Sequence, residues 1–243
     1  MAAPTPTLLI FPGLAADARL FAPQARAFAG WRVPAFVPPR RGEALEDYAA
    51  RLAPTLAALL PADGREPYWL GGFSFGSQLA QELVRHMTRP PAGLVLLCAV
   101  RGRHQVLPSF VLQQRVGALI PGALARRAYG PFARRFARRC GLSAADGELL
   151  VAMARDNDPA FLNWSARACA RWRGEPDLRG VPVLHVHGER DDVIPDVRRE
   201  ADVTIPGAGH LITLTHAREV NEAIGAFVQR TATPGGSAVG AAR

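Results

Sequence analysis

The sequence contains no lysine: all 29 of its basic residues are arginine. That absence excludes Schiff-base and pyridoxal-phosphate chemistry, both of which need a lysine amine. Cysteine is scarce as well. Cys98, Cys140 and Cys169 show no CxxC or zinc-like spacing and lie among apolar or helical residues, so they read as reduced packing residues rather than a disulfide framework. No apolar run approaches the roughly 20 residues of a membrane-spanning helix, and Met1 to Pro6 has neither the basic start nor the apolar core of a secretory leader. A soluble, cytoplasmic chain is expected.

What is present is enough apolar material for one domain. At 243 residues and 49% hydrophobic, the chain can bury a core without disulfides or metals. A net charge of +8 and a pI near 10.7 would ordinarily raise nucleic acid as a partner. The complete replacement of lysine by arginine points instead to compositional bias, and no recognition motif appears, so no nucleic-acid partner is expected. The charge is uneven: Arg101, Arg103, Arg115, Arg126, Arg127, Arg134, Arg135, Arg138 and Arg139 all precede the next acidic residue, Asp146.

Strand and helix patterns alternate through the first hundred residues. Thr7 to Phe11 is an apolar, strand-like run closed by Pro12-Gly13, and Asp17 suits the cap of a helix from Ala18 to Phe28. Strands are predicted over Trp31–Val37, Tyr68–Gly72 and Gly93–Val100, and helices over Glu43–Leu60 and Gly76–His86. Such alternation predicts a mostly parallel sheet with helices on both faces. From Arg101 to about Pro176 helix-like segments take over, broken near Pro108, Pro121-Gly122, Gly141-Leu142 and Pro159, and this stretch reads as a helical lid. Val181–His187 and Ala201–Ile205 resume the strands, and Thr215–Gln229 closes the fold. The expected division is a core of residues 7–100 and 177–230, a lid of 101–176, and disordered tails at 1–6 and 231–243.

Gly72-Phe73-Ser74-Phe75-Gly76 matches G-x-S-x-G between a predicted strand and a predicted helix. A serine on that sharp turn needs small residues two before and two after it, and Gly72 and Gly76 meet the requirement. The first amides of the following helix point at the substrate oxygen, so the Phe75 N–H is a candidate oxyanion donor. A serine hydroxyl is a weak nucleophile at neutral pH, and needs an imidazole base oriented by a carboxylate.

On these motifs the chain resembles the α/β-hydrolase superfamily from Thr7 to about Arg230. The resemblance implies an α/β fold with an inserted lid, and a nucleophile, acid and base in that chain order. Gly188-Glu189-Arg190-Asp191-Asp192-Val193-Ile194-Pro195 looks like the family's acid loop, with Asp191 at the acid's position and Asp192 as the substitute if the loop shifts by one. Pro206-Gly207-Ala208-Gly209-His210 looks like its histidine loop, with His210 as base. Where many relatives carry His-Gly after the first strand this chain has Pro12-Gly13-Leu14, and the role of second oxyanion donor carries over to the Leu14 N–H.

The remaining histidines have plainer readings. His185 and His187 alternate on one strand before an aspartate, but no full ligand set appears, so core or supporting roles are expected and neither a metal nor any other cofactor is implied. His216 suits capping, and His86 and His104 suit surface or lid positions. The expected activity is hydrolysis of a small-molecule carboxylic ester through an acyl-enzyme on Ser74, with Leu107, Phe110, Val111, Leu112, Val116, Leu119 and Ile120 of the lid as candidate pocket residues. Two alternatives stand beside it. One is hydrolysis of an acyl-thioester or acyl-carrier-linked ester, suggested by the arginine-rich lid. The other is a non-hydrolytic or non-catalytic use of the same scaffold.

Overall fold

The computed structural model describes residues 5–61, 64–108, 110–111, 122–174, 177–195 and 200–232, with the backbone alone for 122–129. Six strands form one sheet: β1 (Thr7–Phe11), β2 (Trp31–Arg32), β3 (Tyr68–Phe73), β4 (Gly93–Leu97), β5 (Val183–Gly188) and β6 (Val203–Ile205). Their order is β2-β1-β3-β4-β5-β6 and every pairing is parallel. Parallel strands are covered on both faces, which is why β1, β3 and β4 are almost continuously apolar.

The period-two alternation of each strand divides the core. Leu9 and Phe11, with Leu70, Leu94 and Leu96, pack on one face against the helices Leu45–Leu52 and Phe75–Leu83. Leu8 and Ile10, with Trp69, Val95 and Leu97, pack on the other against Val220, Ile224 and Phe227 of the closing helix Ala217–Thr231. That helix extends into the predicted tail, where the Thr231 hydroxyl accepts from Trp69 Nε1 at 2.8 Å. The rest of the tail from 233, and residues 1–4, lie outside the described residues.

Proline accounts for three departures from the predicted elements. The strand expected to reach Val37 stops at Arg32, because Pro34 cannot donate to a ladder. The helix expected over Ala18–Phe28 is a 3₁₀ turn, Ala18–Phe21, followed by Ala22–Ala27 with Pro23 in its first turn. The helix expected to reach Leu60 turns 3₁₀ over Ala53–Leu59, around Pro54. A fourth departure has another cause: β4 ends at Leu97 because Cys98 takes a φ of 45°.

Between β4 and β5 lie the helices Gly122–Arg139, Ala144–Asp156 and Pro159–Arg171, and no strand among the described residues. Ser143 and Asp158 cap the second and third through side-chain oxygens. The isolated bridge between Gly102 and Gly174 pins the two ends of this segment together. No helix among the described residues is long and apolar enough to cross a membrane.

Candidate active site

Ser74 stands at the turn from β3 into the helix Phe75–Leu83, with φ 52° and ψ −118°. A non-glycine residue in such a region costs on the order of 1–3 kcal/mol and persists only when its surroundings hold it. They do. Ser74 N donates to Leu97 O at 2.9 Å at the end of β4, and Ser74 O accepts from Ser77 N at 2.9 Å. A Cβ on Gly72 would lie 2.1 Å from the Gly76 carbonyl carbon, and one on Gly76 would lie 2.1 Å from Phe11 O. Both glycines are therefore required by backbone contact.

Two loops meet where the His210 ring packs against Phe73, the residue before Ser74. Gly188 of β5 packs so closely on the loop before His210 that a Cβ would fall 2.3 Å from Gly209 O. Arg190 N donates to Ala208 O at 2.7 Å, and Gly207 N donates to the Glu189 carboxylate at 2.8 Å. The joined loops bring Asp191 Oδ2 to 2.7 Å from His210 Nδ1, both side chains being buried. Asp191 Oδ1 accepts from Val193 N at 2.9 Å and Ile194 N at 3.0 Å. Burial alone would raise the Asp191 pKa, but the adjacent His210 ring, then His187 and the Ile194 N–H, outweigh it and hold the carboxyl at about 2. Asp192 points elsewhere, pairing with Arg139 of the intervening helical segment. The His210 ring also touches Phe73, with centroids 5.0 Å apart, and Phe136, at 6.3 Å.

Two further groups face Asp191. His187 Nε2 lies 3.3 Å from Asp191 Oδ2 and 3.0 Å from Ile194 O. A carbonyl only accepts, so Nε2 carries the proton and is shared between the two oxygens. The thiol of Cys98 is also beside Asp191, and burial, reinforced by that carboxylate, pushes its pKa well above the usual range. The ligating atoms of Cys98, His187 and Asp191 fall within 4.8 Å of one another. They do not suit a metal, since Nε2 is protonated toward a carbonyl and both carboxylate oxygens are occupied by donors. The i, i+4 spacing of His187 and Asp191 was the only sequence signal for this contact.

The described residues line a cavity of about 80 Å³ next to Ser74, with Leu14, Phe75, Gln78, Val100, Leu107 and Phe110 among its walls. Leu14 and Phe75, the candidate oxyanion donors, thus border the same space as Ser74. The loop carrying Leu14 is a tight turn, with Ala16 N donating to Gly13 O at 3.3 Å and Ala15 at φ 58°. Gly13 passes so near the elbow that a Cβ would lie 3.3 Å from that of Ser74. The Phe75 ring also belongs to an aromatic cluster with Phe161 and Trp164.

The other predicted residues lie apart from this center. His185 is buried, with its ring 5.5 Å from that of His187. His216 Nδ1 is 2.9 Å from the Thr215 hydroxyl, and exposed His104 lies 3.9 Å from Glu200. Arg134 and Arg139 are paired with Glu148 and Asp192, while Arg103 donates to Ala170 O. Leu112, Val116, Leu119, Ile120 and Arg115 lie outside the described residues, as do the side chains of Arg126 and Arg127.

The profile of the alpha/beta hydrolase family matches residues 4–223. No curated protein matches the chain. Among solved structures, a thermophilic esterase from Thermogutta terrifontis superimposes with a TM-score of 0.74 at 22% identity, covering 94% of this chain and 92% of the other. MenH from S. aureus gives 0.71 at 14% identity over 95% and 96%. A structure from a study of carboxylesterases of Nitrososphaera gargenis gives 0.70 at 12% identity over 95% and 92%. At these identities the likeness is one of fold, and it agrees with the profile match, which spans most of the sequence: the chain belongs to the alpha/beta hydrolase family.

Proposed function

We propose that the protein is a serine hydrolase of carboxylic esters, with Ser74 as nucleophile, His210 as base and Asp191 as the acid that orients it. The observation that carries this reading is that Ser74, held at positive φ on the elbow and bordering the cavity, directly follows Phe73, whose ring packs at 5.0 Å on that of His210, itself 2.7 Å from Asp191. With Nδ1 facing Asp191, the proton of a neutral His210 resides on that nitrogen and Nε2 is left to accept.

In the first half-reaction His210 Nε2 takes the Ser74 proton as Oγ attacks the ester carbonyl. The negative charge moves to the carbonyl oxygen, where the Leu14 and Phe75 N–H groups receive it. Collapse of this intermediate breaks the bond to the alkoxy oxygen, which leaves with the proton from His210, and an acyl-Ser74 ester remains. Water then attacks that ester with His210 as base, and the acid departs as Ser74 regains its proton. Asp191, kept ionised by its donors, stabilises the imidazolium in both halves. The helical segment 101–176 acts as the lid over this site, contributing Leu107 and Phe110 to the cavity wall and resting Phe136 on the His210 ring.

A fluorophosphonate probe tests the assignment. Intact protein should gain one adduct that peptide mass spectrometry maps to Ser74, and Ser74→Ala should lose both the adduct and on the order of 10⁶ in kcat on short-chain esters. An unlabelled but folded protein would overturn it.

A further inference from the structure

Gln78 lies on the first turn of the helix after Ser74, is 1% exposed and borders the same cavity. Neither its Oε1 nor its Nε2 has a hydrogen-bond partner among the described residues. Its polar neighbour is the Cys169 thiol, whose acidity is set first by burial and then by the amide, and a thiol is a weak partner. Two nearby buried glutamines are engaged. Gln81 donates to Val100 O at 2.9 Å, and Gln105 accepts from Arg101 N and donates to Glu200, each at 2.6 Å.

A buried amide with unmatched atoms destabilises the fold, because its lost hydrogen bonds to water are not replaced. A leucine at this position would fill similar space without that cost, so stability does not account for the glutamine. A ligand does. The described walls carry no charged side chain, and apart from Ser74, Gln78, Gln105 and Cys169 they are apolar. The matching group is therefore neutral and able to hydrogen-bond. Ser74 and Gln78 border the same cavity, so that group belongs to the molecule whose carbonyl is held at Ser74.

The geometry points to Gln78 as the specificity-determining residue for an ester that carries a hydroxyl or a second carbonyl group besides the scissile one. This inference rests on the proposed esterase reading. The group belongs either to the acyl or to the alcohol portion, and the two are separable by experiment.

The test uses two pairs of esters, each consisting of a hydroxyl-bearing compound and its methyl-for-hydroxyl isostere, with the hydroxyl on the acyl side in one pair and on the alcohol side in the other. The wild type should prefer the hydroxyl member of one pair by about tenfold or more in kcat/KM. In Gln78→Leu and Gln78→Met that ratio should collapse toward one, chiefly through KM. A ratio that stays unchanged in both variants overturns the inference, as does an equal loss on both members, which is the signature of a structural role. The same pairs are titrated calorimetrically into Ser74→Ala protein, with and without Gln78→Leu. If Ser74 takes no probe and no ester turns over, the esterase reading fails. The ratio of dissociation constants still decides the role of Gln78.

Discussion

His187 Nε2 stands 3.3 Å from Asp191 Oδ2, the same oxygen that faces His210. Its proton is shared with Ile194 O, so the ring ties the carboxylate to the loop that forms part of the cavity wall. A hydrogen bond to a charged group contributes about 1.5–3 kcal/mol. His187→Leu should lower kcat by roughly 10- to 100-fold, with His187→Gln recovering part of the loss because its amide can still donate. A fall in kcat at constant KM marks His187 as a positioning residue acting through Asp191. A rise in KM alone would mean that it serves only the wall.

The neighbouring carboxylates should separate sharply. Asp191→Asn keeps the shape but favours the wrong imidazole tautomer, and kcat should fall by about 10⁴, as in other triads. Asp192 pairs with the half-exposed Arg139, and such pairs contribute about 0–1 kcal/mol. Asp192→Asn should change kcat/KM by less than about fivefold. Steady-state kinetics on one ester distinguishes them, and a larger loss from Asp192→Asn than from Asp191→Asn would mean that the loop functions in the shifted register.

Asp191 also makes a prediction about acid stability. Its folded pKa of about 2 lies below the unfolded value near 3.9. Its contribution is therefore present above pH 4 and lost as the pH falls through about 2, amounting to about 2 kcal/mol. Urea unfolding of wild type and Asp191→Asn should show a stability difference that narrows between pH 4 and pH 2. A constant difference would sink this account.

These cases show which parts of the molecule the sequence exposes. β1, β3 and β4 are buried on both faces and read as apolar runs, while the elbow is legible because Gly72, Ser74 and Gly76 are constrained within five consecutive residues. The acid-loop pattern favours Asp191, but spacing alone leaves Asp192 as its substitute, since a one-residue shift interchanges them. It takes the Gly188–Gly209 backbone contact, a pairing of two loops, to aim Asp191 at His210 and leave Asp192 to Arg139. Gln78 and His187 were less legible still. Gln78 is defined by a cavity whose walls come from distant segments, and the reach of His187 depends on how the acid loop folds back over β5. The strand pattern runs past the true end of β2 for a local reason, the missing N–H of Pro34.

His185 is held neutral by its surroundings. Burial, followed by the charges of His187 and Arg101, pushes its pKa down to about 3, and neither ring nitrogen has a hydrogen-bond partner among the described residues. The folded state resists protonation that the unfolded chain accepts near pH 6.5. Stability from this group is thus complete above pH 6.5 and declines toward pH 3, with a slope of at most about 1.4 kcal/mol per pH unit. His185→Leu should flatten the fall in urea midpoint between about pH 6.5 and 5 and should cost little at neutral pH. An unchanged slope would show that the ring finds water or a partner when protonated.

Gly76 and Gly225 offer a matched test of what the elbow demands. A methyl group on Gly76 would meet Phe11 O at 2.1 Å and Pro12 O at 2.6 Å, both of them backbone atoms that cannot rotate away. Gly76→Ala must therefore push the elbow helix off β1, at a cost of about 3 kcal/mol or more, and should displace Ser74 along with it. Gly225 lies inside the closing helix, where an added methyl group would have nothing within 4 Å. There alanine meets no neighbour and removes backbone entropy from the unfolded chain, so Gly225→Ala should stabilise by about 0.5–1 kcal/mol. Chemical denaturation measures both. A destabilised Gly225→Ala would mean that the helix needs flexibility at that point, whereas a Gly76→Ala protein of normal stability and activity would mean that the strand–helix contact holding Ser74 is looser than its geometry implies.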